Sequence, residues 1–151
     1  MKVAIVTGAS RGIGRACAIR LAQDGFTVVI NYAHSDAEAQ KVLDTVRENG
    51  GDGMLCRADV SKVEEVRAMM RDVSKAYGQI DVLVNNAGIV RDEYLLMLTP
   101  ETLDRCMDLN VKGYLYCAQQ AVLKMFRKKS GSIINMSSVS GILALPGQCV
   151  Y

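Results

Sequence analysis

The sequence predicts an α/β domain built on a doubly wound parallel sheet, and three observations carry that expectation. Five apolar runs of strand length alternate with segments whose apolar residues recur at helical spacing, and no repeat, linker or low-complexity tract interrupts them. The first run, Val3-Ala4-Ile5-Val6, leads directly into a glycine-rich turn, Thr7-Gly8-Ala9-Ser10-Arg11-Gly12-Ile13-Gly14. The fourth, Val82-Leu83-Val84, leads into a second turn, Asn85-Asn86-Ala87-Gly88. Strands separated by helices pair in parallel through right-handed crossovers, which brings the turns at their carboxyl ends to one side of the sheet.

Each element has its own signal. After Gly14 a helix is expected with Ile13, Ala16, Cys17 and Leu21 on its inner face. The second strand reads Thr27 to Asn31. Ser35-Asp36-Ala37-Glu38 has the form of a capping box and opens a helix with Ala39, Val42, Leu43 and Val46 inward, stopped by Asn49-Gly50-Gly51. The third strand, about Gly53 to Ala58, is the weakest by composition. Ser61-Lys62-Val63-Glu64 repeats the capping-box pattern, followed by a stripe of Val63, Val66, Met70 and Val73. The fourth strand spans Asp81 to Val84. Thr99-Pro100 pairs an N-cap with a proline at the first helical position and starts a long helix to about Lys128. Ser132 to Met136 is the fifth strand.

Composition narrows the class. A chain of 151 residues is one domain by length and large enough for a core of its own. Half its residues are apolar and its net charge is +2, which excludes a disordered chain and gives no general attraction to nucleic acid or membranes. The first apolar run is too short for a signal-peptide core or a membrane span, so a soluble, untargeted, cytoplasmic protein is expected. The five cysteines (Cys17, Cys56, Cys106, Cys117 and Cys149) are odd in number and form no C-x-x-C. Reduced thiols are expected rather than disulfides or a metal site.

A buried strand, a glycine-rich turn and a helix start make a phosphate site, because glycine lets the backbone approach the ligand and first-turn N–H groups face the anion. The glycines Gly8, Gly12 and Gly14 follow G-x-x-x-G-x-G, unlike the commoner dinucleotide spacing G-x-G-x-x-G. Taken alone this is only a tight strand-to-helix turn. With further βα units behind it, a dinucleotide is the expected ligand.

Four signatures in register make the sequence resemble the short-chain dehydrogenase/reductase family. They are Thr7 with the glycine turn, Asn85-Asn86-Ala87-Gly88, Asn110 in Asp108-Leu109-Asn110-Val111-Lys112-Gly113, and Ser138 thirteen residues before Tyr151. Together they run from Lys2 to Tyr151. The resemblance implies a Rossmann-type sheet in the order 3-2-1-4-5, with the ligand crevice between strands 1 and 4. It implies a nicotinamide dinucleotide held by Thr7, Gly8, Ser10, Arg11, Gly12, Ile13, Gly14, Asn31, Asp59, Val60, Asn86, Ala87 and Gly88. Asp59-Val60 matches the family's adenine-contacting pair, though a polar turn reads the same way. Tyr151 is then the proton donor, Ser138 the hydrogen-bond donor to the substrate carbonyl, and Asn110 the residue that holds the long helix open to a water of the proton relay. Read alone, Ser138 is one serine among Ser137, Ser138 and Ser140, and Asn110 an ordinary helix residue.

The corner after strand 2 reads Ile30-Asn31-Tyr32-Ala33-His34-Ser35, with no carboxylate before Asp36 to hold ribose hydroxyls. Arg11 stands where NADP-using members of the family carry a basic residue, so NADP(H) is the expected cofactor. His34 is either a surface residue or a weak partner of the 2′-phosphate.

Gly88-Ile89-Val90-Arg91-Asp92, Leu95-Leu96-Met97 and Gly147-Gln148 are similar to the branch of the family that reduces 3-oxoacyl groups carried on an acyl carrier protein. By that resemblance Ser138 and Gln148 contact substrate, and Arg127-Lys128-Lys129 offers basic groups to the acidic carrier, although a solvated helix end favoured by the macrodipole explains the triplet equally. Another small ketone or alcohol, or a catalytically silent dinucleotide-binding module, remains an alternative, since one scaffold serves many substrates. The family's lysine four residues after the tyrosine is not in the sequence. The domain is therefore read as incomplete at its C-terminus, with reduction by the 151-residue chain not expected and a dimer or tetramer expected only for a full-length form.

Overall fold

The computed structural model describes residues 1–143 and 145–151. Strands β1 (Lys2–Val6), β2 (Phe26–Tyr32), β3 (Gly53–Arg57), β4 (Val82–Asn85) and β5 (Ser132–Asn135) form one parallel sheet in the order β3-β2-β1-β4-β5. Val6 lies opposite Ile30 on one side and Val84 on the other. The turns after β1, β2 and β4 therefore leave the sheet side by side at its carboxyl edge. Between the strands run α1 (Gly12–Gln23), α2 (Asp36–Glu48), α3 (Val63–Tyr77), α4 (Pro100–Met107) and α5 (Gly113–Lys128).

The crossovers place the helices as right-handed connections require. One face of the sheet, with Val6, Val28, Ile30 and Val84, is covered by Ala18 and Ala22 of α1 and by Ala39, Val42, Leu43 and Val46 of α2. The other, with Val3, Ile5, Val29 and Leu83, is covered by Val66, Met69, Met70 and Val73 of α3 and by Cys117, Ala121 and Met125 of α5. All five cysteines are free thiols. Burial pushes the Cys117 thiol up to about 12 and the Cys56 thiol up to about 11, the latter helped by the Asp72 charge. Among the described residues no helix is long and apolar enough to cross a membrane.

Local chemistry departs from the sequence expectations in four places. The inner face of α1 is Gly14, Ala18 and Ala22, while Ile13 is 62% exposed and Ala16 faces water. The cause is close approach: a Cβ on Gly14 would overlap the Asn86 side-chain amide and the Gly8 carbonyl oxygen, so only the helix's smallest side can turn inward. Neither capping box forms. Ser35 is the N-cap of α2 without a side-chain bond, and Glu38 pairs with Lys41 at 2.7 Å instead. Lys62 is the N-cap of α3, and Glu65 rather than Glu64 turns back, its Oε2 accepting from the Asp59 N–H at 2.8 Å.

The third departure is the long helix, which begins as expected with Thr99 Oγ1 accepting from the Thr102 N–H at 3.2 Å. It does not run unbroken to Lys128. A π turn over Asp108–Lys112 separates α4 from α5, because Asn110 is held sideways by the loop after β4. Last, strand boundaries shift by a residue. β3 stops at Arg57, β4 runs from Val82 to Asn85, and β5 ends at Asn135, although the Met136 N–H still donates to the Asn85 carbonyl oxygen at 2.9 Å.

Candidate functional site

The turn after β1 and the turn after β4 are bolted together. Thr7 Oγ1 accepts from the backbone N–H of Asn86 at 2.9 Å and of Ala87 at 3.0 Å, and donates to the Val84 carbonyl oxygen at 3.3 Å. In return the Asn86 side-chain amide donates to the Thr7 and Gly8 carbonyl oxygens at 2.9 and 3.2 Å. Gly8 takes a φ of 62°, in the left-handed region, and a Cβ there would come within 2.9 Å of Ala87 Cα. Glycine is thus required twice, for backbone direction at Gly8 and for close packing at Gly14. What remains open is a cradle of backbone at the start of α1, the form of site that receives a pyrophosphate.

A cavity of about 670 Å³ extends from this cradle across the carboxyl ends of β1, β2 and β3. Of the residues expected to hold a dinucleotide, Gly8, Ser10, Arg11, Asn31, Asp59, Val60, Asn86, Ala87 and Gly88 line it, whereas Thr7, Gly12 and Gly14 do not. Asn31 serves it from beneath. Its buried amide donates to the Cys56 and Ala58 carbonyl oxygens at 3.2 and 3.0 Å, and its Oδ1 accepts from the Gly8 N–H at 3.3 Å. Asp59 Oδ1 accepts from the Ser61 N–H and hydroxyl, so that carboxylate is fixed at the rim. The bond from the Asp59 N–H, followed by the Lys62 ammonium, holds the Glu65 carboxyl below its usual range.

At the outer corner stand Arg11, Tyr32, His34 and Ser35. The nearby acid, Asp36, accepts from the Tyr32 hydroxyl at 3.0 Å. Burial, and then this contact with Asp36, pushes the Tyr32 phenol up. The Arg57 guanidinium donates to the Ala33 carbonyl oxygen at 3.2 Å and brings a second cation to the same corner. These groups leave a basic mouth beside the cradle.

A second cavity, of about 330 Å³, adjoins the first along Asn86, Gly88 and Ile89. It brings together Asn110, Ser138 and Tyr151, which lie far apart in the chain. The Asn110 side chain grips the loop after β4 in both directions, accepting from the Ile89 N–H and donating to the Ile89 carbonyl oxygen, each at 2.9 Å. That pair of hydrogen bonds from one side chain to the backbone N–H and carbonyl of a single residue is what the π turn accommodates. Ser138 Oγ accepts from the Ser140 N–H at 3.1 Å, which leaves its own proton free to donate. Ile13, exposed on the outer side of α1, lines this cavity rather than the larger one.

Sequence reasoning missed Tyr114 as a site residue. It sits one helical turn after Asn110, lines the same cavity, and donates from its hydroxyl to the Met136 carbonyl oxygen at 3.2 Å. Burial and the neighbouring Tyr151 push its phenol up. The i, i+4 spacing from Asn110 was the available signal. Two predicted groups are not gathered here. Gln148 turns away, its Oε1 buried near the loop after β4. Arg127, Lys128 and Lys129 lie at the amino ends of β4 and β5, at the opposite edge of the sheet, where the Lys128 ammonium pairs with the Asp81 carboxylate.

Comparison with known proteins agrees with this geometry. The family model described as short chain dehydrogenase matches residues 2–151. The chain is 45% identical over 150 residues to the 3-oxoacyl-[acyl-carrier-protein] reductase FabG of Staphylococcus aureus, covering 99% of this chain and 61% of that protein. It is 42% identical to the protein of the same name from Staphylococcus epidermidis, covering 99% of this chain and 62% of the relative. It is 43% identical to the 3-oxoacyl-[acyl-carrier-protein] reductase of Synechocystis sp., with coverage of 99% and 61%. The chain thus spans about three fifths of the length of the curated relatives it matches.

Proposed function

We propose that this chain, which belongs to the short chain dehydrogenase family, carries the NADP(H) site and the proton-donating groups of a 3-oxoacyl-[acyl-carrier-protein] reductase. The observation that carries the reading is the cavity shared by Asn110, Ser138 and Tyr151, opening beside the glycine cradle. The printed names of the relatives support the substrate class.

The cradle fits the cofactor because the turn offers it backbone: Gly8 and Gly14 pack without a Cβ against Ala87 and Asn86, and Gly12, at a φ of 56°, has open space beside it. The turn Thr7–Gly14 and Asn86–Gly88 would hold the phosphates and nicotinamide side, and Asp59 and Val60 the adenine side. Bound there, NADPH would supply hydride to the carbonyl carbon. The remaining tasks fall to side chains. Ser138 donates its free hydroxyl proton to the carbonyl oxygen and fixes its direction. Tyr151, 37% exposed at the mouth of the cavity, delivers a proton to the same oxygen as charge develops on it. A free phenol titrates near 10, so efficient exchange at neutral pH calls for a cation beside it. The family motif supplies one as a lysine four residues after the tyrosine. Asn110 holds the Ile89 wall, and Tyr114 holds the segment before Ser137 through Met136.

The basic mouth favours NADP(H) over NAD(H), with Arg11 as the main partner of the 2′-phosphate and His34 beside it. An acidic carrier protein would meet Arg127 and Lys129, since Lys128 is paired with Asp81. Contact there would dock the carrier without touching the chemistry.

Titration of the chain with NADPH and NADH tests the cofactor reading. NADPH is expected to bind more tightly, and Arg11→Ala to narrow the gap by roughly tenfold, the loss of one charge-assisted contact. Equal affinities would sink it. With the motif lysine supplied after Tyr151, reduction of a 3-oxoacyl thioester is expected, and Tyr151→Phe should abolish turnover while NADPH binding persists. Turnover surviving that substitution would remove Tyr151 from its role.

A further inference from the structure

Glu93 has no part in the cofactor or proton-donor roles above, yet it is where two irregular segments meet. One is the loop that follows β4; the other is Leu145–Tyr151, which ends on the proposed acid. Among the described residues, the one backbone hydrogen bond within the second segment runs from the Gln148 N–H to the Leu145 carbonyl oxygen at 3.2 Å, and being internal it ties the segment to nothing else. Its links outward converge on one residue. Glu93 pairs in parallel with Gln148 as an isolated bridge, and the Cys149 thiol donates to the Glu93 carbonyl oxygen at 3.0 Å. The Glu93 side chain reaches a third element, Oε1 accepting from the Thr102 hydroxyl in the first turn of α4 at 3.0 Å.

Two atoms at this junction are buried without a partner among the described residues, Glu93 Oε2 and Gln148 Oε1. They belong to the two residues that the bridge sets side by side, and both are acceptors. A half-turn of the Gln148 amide exchanges its oxygen and nitrogen within the same outline. The amide N–H then donates to Oε2, and the buried carboxylate gains the donor it lacks. We propose that Glu93 is a positioning residue, its carboxylate clasped by the Gln148 amide and the Thr102 hydroxyl so that the segment ending on Tyr151 is fixed against α4 and the loop after β4. Its bearing on the reaction rests on the reading of Tyr151 as the acid; the clasp itself does not. It also gives Gln148 a role other than substrate contact.

Cys149 is a built-in reporter, since it is exposed and bonded to the Glu93 carbonyl. The experiment follows alkylation of Cys149 by iodoacetamide, together with amide exchange of the peptide spanning residues 145–151, in the 151-residue chain. Glu93→Ala and Gln148→Ala should each speed both by roughly tenfold, the loss of one hydrogen bond to a charged group. The double substitution should be no faster than either alone, and Glu93→Gln, whose amide still offers an acceptor oxygen, should restore most of the protection. Unchanged rates in both alanine variants, or effects that multiply in the double variant, would overturn the clasp. NADPH affinity serves as the separate readout. It should be the same in all four variants, so failure of the clasp and failure of the cofactor reading give different results.

Discussion

β2 and β5 are written in the same apolar language, yet they lie in different surroundings. In Phe26–Tyr32 six of seven residues are buried, whereas in Ser132–Asn135 one is half-buried and three are exposed, Ile134 at 47%. β2 has a strand on each side and a helical layer on each face; among the described residues β5 pairs only with β4. The glycine cradle stands on the closed side. Ser138 and Tyr151 hang from the open side, in segments held by a few hydrogen bonds. The difference teaches a division of labour: a closely packed floor beneath the glycine turn, and a looser wall that carries Ser138 and Tyr151, the groups proposed to react.

The largest test of this contrast is a pair of truncations. Leu83→Ala empties a fully buried position in β4 and should cost about 2–5 kcal/mol, while Ile134→Ala on β5 should cost under about 1 kcal/mol. Urea unfolding of both variants reads the gap directly. Equal losses would mean that β5 is as well packed as its neighbour.

Asn31→Ala comes next. It leaves the Cys56 and Ala58 carbonyl oxygens and the Gly8 N–H without their partner. A cost of about 1–3 kcal/mol is expected, with weaker NADPH binding because Gly8 loses support from below. Normal affinity alongside lowered stability would separate the floor from the cradle it carries.

How much of this was legible depended on whether the signal was local. The glycine turn and the strand runs were readable because sterics and periodicity act within a few residues. The inner face of α1 was misread, because Gly14, Ala18 and Ala22 face inward for their smallness and hydrophobic spacing does not record that. The capping boxes were misread because Glu38 and Glu64 pair forward with Lys41 and Arg67, three residues on, and the Ser61 hydroxyl turns to the Asp59 carboxylate. The break at Asp108–Lys112 depends on Ile89, some twenty residues away, and no window on the helix contains it. Asn110, Ser138 and Tyr151 were singled out through family resemblance, whereas for Tyr114 the sequence offered only its i, i+4 spacing from Asn110, too common a spacing to mark a site without the cavity.

A smaller effect is expected where the open side is fastened to the closed one. At the amino edge of the sheet the Asp81 carboxylate accepts from the Val3 N–H at 2.7 Å and pairs with Lys128, and the Asp81 carbonyl oxygen accepts from the Ser132 N–H at 2.9 Å. β1, β4 and β5 are thereby joined. Burial alone would raise the Asp81 carboxyl, but the Lys128 ammonium and the Val3 N–H more than offset it and hold it below its ordinary value of 3.8. A depressed folded value means the contribution is complete above that value and is lost as pH falls through it toward the folded one. With the pair partly open to water, the loss should be under about 1 kcal/mol. Asp81→Asn should flatten that part of the acid limb in urea midpoints measured on both sides of the window. An acid limb identical in the variant would show that other carboxylates carry it.

The smallest effect on stability should come from the outer face of α5, where the same contrast is read in association instead. Leu115, Val122, Leu123 and Phe126 are exposed there, opposite the buried row Gly113, Cys117, Ala121 and Met125. Phe126 is 80% exposed. Ile134 on β5 adds uncovered apolar surface on the other face of the sheet, and such surface favours self-association. Phe126→Lys removes no buried contact and should move the unfolding free energy by less than about 0.5 kcal/mol. It should nonetheless shift the chain toward monomer in size-exclusion chromatography with light scattering. The unsubstituted chain should elute as an associated species whose size falls on dilution. A monodisperse monomer with a cooperative melt would show that the open side is satisfied by itself, and that the exposure of β5 and α5 has no consequence in solution.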